Sequence, residues 1–186
     1  MLNAKLVAPD TVRPISRREY EKMVELGLFE DERIELIDGV LLCMSPEGAP
    51  HSGAIQRLTQ IMVLALHPRA AVRAHSAFAA SDGSEPEPDV AVVPARDYDD
   101  AHPSAAYLII EVADSSLAKD RGVKATLYAQ SGVPEYWVVN LQGKVIEVYT
   151  EIVQGAYARV TPSRKGETIR LQHFPDIEIR VDSVLR

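Results

Sequence analysis

The chain reads as an α/β fold, a mixed β-sheet flanked by helices, and three observations predict it. Two short runs, 90–93 (Val-Ala-Val-Val) and 107–112 (Tyr-Leu-Ile-Ile-Glu-Val), are almost wholly apolar and rich in β-formers, the pattern of strands covered on both faces. Two longer segments, 51–67 and 117–130, carry apolar residues near the helical period and end at Pro68 and Gly132. After residue 150 the pattern becomes a series of short extended pieces, a strand-rich C-terminal part added to the core.

Taken in order, residues 1–15 show no periodicity and form a loose lead-in, and the rest, 16–186, reads as one domain. Ser16 with Glu19 three residues on is a capping box, and Ile15 and Tyr20 stand where a hydrophobic staple places them. That helix runs to about Leu26, where Gly27 is a stop signal. Residues 33–37 and 40–44 read as strands joined by Asp38-Gly39, a strong hairpin turn. Residues 45–50 form a loop, and 51–67 a helix with Ile55, Leu58, Ile61, Met62 and Ala65 on its apolar stripe. Residues 70–80 look extended, as one or two strands, and the loop 81–88 leads into the short buried strand 90–93. In the helix at 117–130 the expected inner face is Leu117, Val123, Leu127 and Tyr128. Strands at 135–139 and 145–149 pair as a hairpin, and three extended pieces follow near 157–160, 168–171 and 177–181. The part after 150 either completes the sheet or forms a dimer contact.

Composition excludes several classes. The chain is 46% hydrophobic and 25% charged, ordinary for a soluble globular protein. Its apolar run at 61–66 is far too short to span a bilayer, so no membrane role is expected. The N-terminus lacks a charged-then-apolar signal pattern, and Cys43 is the lone cysteine; both fit a cytoplasmic location. A net charge of -7 argues against a protein that coats nucleic acid non-specifically, though a local basic groove drawn from Arg57, Lys119, Arg121 and Lys144 remains compatible with it.

Asp89, at the mouth of one buried strand, and Glu111, near the end of the other, carry the chemistry. A carboxylate embedded in such a strand costs several kcal/mol, on the order of 3 or more, unless it is paired or metal-bound. Cleaving a phosphodiester near neutral pH requires a divalent cation, an activated water and in-line geometry. Mg²⁺ takes one or two protein carboxylates plus waters and phosphate, a role that Asp89 and Glu111 fit if their strands are neighbours. Lys124, on the following helix, is placed to stabilise phosphoryl charge or orient the water.

The plainer readings stand beside these. Asp89 is also a common turn residue after Pro88, and Glu111 also fits a buried ion pair with Lys124 or Arg121. Lys124 also fits a solvated helix face. Glu35 alternates with Ile34 and Leu36, which by default turns it to solvent, and His51 sits where a polar helix start belongs. His67, His75, His102 and His173 have no metal-ligand spacing and receive no site role. There is no zinc pattern, no Walker loop and no dinucleotide fingerprint.

Several segments match a known family in order: Ile34-Glu35-Leu36-Ile37-Asp38-Gly39-Val40, then Met44-Ser45-Pro46 and His51, Pro88-Asp89, Leu108-Ile109-Ile110-Glu111-Val112, Asp120 to Lys124, Tyr128, and Gly132-Val133-Pro134-Glu135-Tyr136-Trp137-Val138-Val139. Over about 16–150 the chain resembles the Uma family of restriction-endonuclease domains, within the PD-(D/E)XK nuclease superfamily. The resemblance implies a restriction-endonuclease-like core, Asp89 and Glu111 as ligands of Mg²⁺ (or Mn²⁺), Lys124 as the catalytic lysine, Glu35 as an auxiliary acid and His51 near the site. The superfamily usually carries its lysine two residues after the second carboxylate, where this chain has Ala113. The implied activity is endonucleolytic hydrolysis of DNA by a homodimer, since two symmetric sites suit two strands. The competing reading is a non-catalytic module that keeps the fold and binds nucleic acid or protein.

Overall fold

The structure, a computed structural model, describes residues 12–186. Most of the expected lead-in lies outside the described residues. The helices are α1 (Arg17–Glu25), α2 (Ala49–Leu66), α3 (Leu117–Lys119), α4 (Ala125–Gln130) and α5 (Val181–Val184). The strands are β1 (Ile34–Ile37), β2 (Val40–Cys43), β3 (Ala70–Ala74), β4 (Val90–Pro94), β5 (Leu108–Ala113), β6 (Tyr136–Asn140), β7 (Val145–Val153), β8 (Ala156–Arg164), β9 (Thr168–Arg170) and β10 (Glu178–Arg180). Among the described residues no helix is long and apolar enough to cross a membrane.

β3 to β8 form one six-stranded sheet in chain order. Its neighbours run antiparallel except β5 and β6, which are parallel because the helical segment between them carries the chain back across one face. Side chains alternate across the sheet. Val90, Val92, Leu108, Ile110, Val112, Trp137 and Val139 pack toward α2 and the C-terminal β9, β10 and α5. Ala91, Val93, Ile109, Ala113, Tyr136 and Val138 pack toward α4 and Phe78. The central strands are thus buried on both faces, which is why they read as continuous apolar runs.

The capping box forms as expected: the Ser16 side chain accepts from the Glu19 amide, and Glu19 accepts from the Ser16 amide. Such a cap is worth about 1 kcal/mol. The Asp38-Gly39 turn joins β1 to β2 with Ile37 opposite Val40. The C-terminal part serves both the sheet and the core. β8 adds the edge strand beside β7, and Ile169, Ile179, Val181 and Val184 close over the α2 face. The final turn α5 was not anticipated from its short, β-rich sequence.

Two expectations need correction. Residues 70–80 form a strand only over Ala70–Ala74, because His75 takes φ +46 and turns the chain away from the ladder. Residues 117–130 are not one uniform α-helix. A π-helical turn, Asp120–Lys124, separates α3 from α4, and the Ala125 amide reaches back five residues to the Asp120 carbonyl. The widened turn shifts the facing of the side chains: Val123, expected inside, is 48% exposed, and Lys124 is buried.

Candidate active site

Asp89 and Glu111 come together because their strands are neighbours. Val90 pairs with Ile110 across β4 and β5, which sets Asp89 beside the Glu111 end of the partner. The Val112 amide donates to Asp89 Oδ2 at 2.7 Å and fixes that carboxylate. Glu111 projects from β5 toward the helical side. Its Oε1 accepts from Lys124 Nζ at 2.9 Å and from the Tyr128 hydroxyl at 2.7 Å.

The π-turn delivers Lys124 to this place. Its ammonium, only 2% exposed, sits 2.9 Å from Glu111 and 3.0 Å from Glu35 Oε2. Glu35, far from facing solvent as alternation suggested, is fully buried, and its Oε1 also accepts from Lys119 at 2.9 Å. The reason is that Lys119 and Lys124 of the helical segment reach over to Glu35 on β1, so the side chain expected to be wet is covered. The plainer reading of Glu111, an ion pair with Lys124, is therefore present, and it lies in the wall of an open cleft.

That cleft has a volume of about 400 Å³ and exposes Glu47, His51, Asp89, Glu111, Asp114, Lys119, Asp120 and Lys124 among its walls. Glu35 does not line it and reaches it only through the two lysines. His51, in the first turn of α2, lies between two carboxylates, with Nε2 3.5 Å from Asp89 and Nδ1 3.4 Å from Glu47. Sequence reasoning missed Glu47 and gave His75 no role, yet Glu47, His75 and Asp89 have ligand-type atoms all within 4.8 Å of one another. These three come from separate elements, so no sequence spacing announces them.

The expected basic groove does not assemble. Lys119 alone of the four candidates lines the cleft, and it is paired with Glu35. Arg57 donates to the Val184 carbonyl, and Arg121 is engaged by Glu147 on β7. The cleft is acid-rich: five carboxylates face two lysines.

The electrostatics follow from burial. Desolvation, then the neighbouring Glu111 charge, pushes the Asp89 carboxyl well above its ordinary range. Burial also pushes Glu111 up, against the pull of Lys124. Glu35 goes the other way, because Lys124 and Lys119 outweigh its burial. Lys124 is held firmly charged: desolvation opposes its charge, but Glu111 and Glu35 together prevail. Asp89 and Glu111 are thus carboxyls in the wall of the cleft whose negative charge the protein alone does not fully compensate. That is the donor chemistry of a hard divalent cation, and the residues fit one.

Comparisons with known proteins agree with this architecture. The profile of the Uma2 family, described as "Putative restriction endonuclease", matches residues 17–182, further into the C-terminal part than the resemblance over about 16–150 reached. A crystal structure of a "putative nuclease belonging to DUF820" from Anabaena variabilis superposes with a TM-score of 0.72 at 14% identity, over 92% of this chain and 97% of that one. At that identity the likeness establishes the fold. No curated protein matches the chain.

Proposed function

The chain belongs to the Uma2 restriction-endonuclease family, and we propose that it is a divalent-cation-dependent endonuclease that hydrolyses phosphodiester bonds of DNA. One observation carries this reading: the Lys124 ammonium, 2% exposed, is held between Glu111 and Glu35 in the wall of the cleft that also presents Asp89. Asp89 and Glu111 would hold Mg²⁺ or Mn²⁺. The bound cation would neutralise phosphoryl charge and lower the pKa of a water.

The protein's own groups do the rest. The Val112 amide and His51 hold the Asp89 carboxylate in one orientation. Tyr128 and Lys124 both engage Oε1 of Glu111, a residue that lines the cleft, and neither engages Oε2. Lys124, kept protonated by its two carboxylates, places a fixed positive charge where negative charge develops on the phosphoryl oxygens. Glu35 is a positioning residue in this scheme, because it touches the lysine rather than the cleft. The acid-rich lining also explains a need for metal, since a phosphate approaching five carboxylates and two paired lysines is repelled until cations bind.

Cleavage of supercoiled plasmid with Mg²⁺ or Mn²⁺, wild type against Glu111→Ala, tests the proposal. Metal-dependent nicking that vanishes in the variant supports it. Equal activity in both proteins removes Glu111 from the mechanism. Inactivity of both favours a binding module that has kept the fold, a reading to which the missing basic rim lends weight.

A further inference from the structure

Beside the Asp89–Glu111 pair lies a second set of ligand-type atoms with a different chemistry. His75 Nδ1 stands 3.6 Å from Glu47 Oε1 and 4.0 Å from Asp89 Oδ1. Two atoms each about 2.2 Å from one cation lie roughly 3 Å apart at a right angle and roughly 4.4 Å apart when opposed. Both separations fall inside that window. His51 braces the pair from behind, its ring bridging Glu47 and Asp89, and its Nδ1 is enclosed without a hydrogen-bond partner.

A positive group already rests against these atoms. The Arg33 guanidinium contacts Glu47 Oε1 at 2.5 Å, His75 Nδ1 at 3.3 Å and Glu87 Oε1 at 2.8 Å. A guanidinium can only donate, so this contact suits the His75 tautomer that carries a lone pair on Nδ1, the form a cation needs. Arg33 is 41% exposed at its side chain and has open solvent to swing into.

We propose that Glu47, His75 and Asp89 form a second divalent-cation site, selective for a first-row transition dication over Mg²⁺ and closed in the metal-free chain by the Arg33 guanidinium. Selectivity follows from the imidazole. Mg²⁺ prefers oxygen and dehydrates reluctantly, whereas transition dications accept a neutral histidine nitrogen. Asp89 is shared: its Oδ2 accepts from the Val112 amide, next to Glu111 on β5, and its Oδ1 lies 4.0 Å from His75 Nδ1. The inference rests on Asp89 being a metal ligand, as proposed above. His51 is a positioning residue in it.

The test uses Mn²⁺ alone as the probe, on the full chain, with calorimetry for stoichiometry and pulsed electron paramagnetic resonance for ¹⁴N coupling. Wild type is expected to bind two Mn²⁺ per chain, one showing imidazole ¹⁴N modulation that survives excess Mg²⁺. His75→Ala should bind one Mn²⁺ and lose the modulation, and Glu47→Gln should weaken the same site as an independent check. Arg33→Ala should tighten it several-fold by removing the competing charge. Glu111→Gln should remove the oxygen-only ion and spare the nitrogen-ligated one. A single Mn²⁺ without ¹⁴N modulation, lost in Glu111→Gln, overturns this inference and leaves the proposed function standing. Modulation unchanged in His75→Ala also overturns it. No Mn²⁺ bound by any of these proteins overturns both.

Discussion

Replacing Lys124 with methionine removes a buried charge with little change of volume, and its cost is predictable from the partners it abandons. Lys124 lies within 3.0 Å of two carboxylates, Glu111 and Glu35, both almost completely buried. Glu35 keeps a second cation, Lys119, at 2.9 Å, whereas Glu111 keeps only the Tyr128 hydroxyl. The loss therefore falls mainly on Glu111. Breaking a buried pair by removing one member costs about 3–5 kcal/mol, because the remaining charge is left unsolvated. In a chain of this length that is a fall of roughly 6–20 °C in Tm.

The loss depends on pH, and its sign is fixed. Glu111 already has a folded-state pKa above its ordinary value, through burial, and without Lys124 it rises further. A carboxyl raised on folding contributes stability below its unfolded pKa and loses it as pH rises through the folded one. Lys124→Met should accordingly be most destabilised at pH 8 and recover much of the deficit near pH 5, below the folded pKa of about 7, where Glu111 is already protonated. Adding Glu111→Gln should restore most of the pH 8 loss. Urea denaturation in EDTA at both pH values measures this. A deficit equal at pH 5 and 8, unrelieved by the second substitution, would falsify the buried-charge account and point to lost packing instead.

Three further outcomes follow from other residues. Glu85 is buried, and desolvation, then Glu21, pushes its carboxyl up to about 7, with Oε2 lacking a partner. Its stability contribution is present below the unfolded pKa and lost as pH rises through about 7. Glu85→Gln should therefore be more stable than wild type at pH 8 by at most about 3 kcal/mol, with the gain vanishing near pH 5; a pH-independent difference in Tm contradicts this. Gly39 has φ +75, and an added Cβ would lie 2.2 Å from Pro14 Cβ, so Gly39→Ala should cost more than about 1 kcal/mol in urea denaturation; a neutral result refutes the close approach. Tyr136→Phe removes a 3.1 Å hydrogen bond to the Asp120 carbonyl at the start of the π-turn. It should cost about 1 kcal/mol and speed amide exchange over 120–125, and unchanged exchange there would mean the turn does not depend on it.

Local pattern was legible in the sequence, and so was the joining of Asp89, Glu111 and Lys124, but Glu47 and His75 were not. Val90–Val93 and Leu108–Val112 read as central strands because a strand covered on both faces needs apolar residues throughout. Asp89 and Glu111 stood out for the same reason, as carboxylates where apolar residues belong. Glu35 was harder, since alternation in a hairpin predicts a wet face and only the docking of the 117–130 segment covers it. Glu47 and His75 were invisible: one comes from the loop before α2 and the other from the end of β3. The π-turn was equally hidden, because one extra residue in a helical turn leaves a nearly helical apolar pattern, yet it decides whether Val123 or Lys124 faces inward.

On the proposed mechanism that turn also accounts for where the lysine stands in the chain. Two residues after Glu111, Ala113 points to the same face and is packed at 1% exposure in the cluster that holds Ala125 and Tyr128. A lysine at 113 would drive a long charged side chain into that packing. The opposite wall supplies the ammonium instead, from Lys124, which contacts Glu111 at 2.9 Å, while the small Ala113 packs in the cluster with Ala125 and Tyr128. On the proposed mechanism the phosphoryl group responds to where the charge is, not to which element carries it. The relocation does have a structural consequence. A lysine sharing the carboxylate's strand is positioned by the strand alone, whereas Lys124 is positioned by packing between sheet and helix, through Tyr128 and Tyr136, and by a second anchor at Glu35. On the proposed mechanism Glu35 and Lys124 therefore act as one device, since without Glu35 the ammonium would be fixed only by Glu111, the proposed metal ligand.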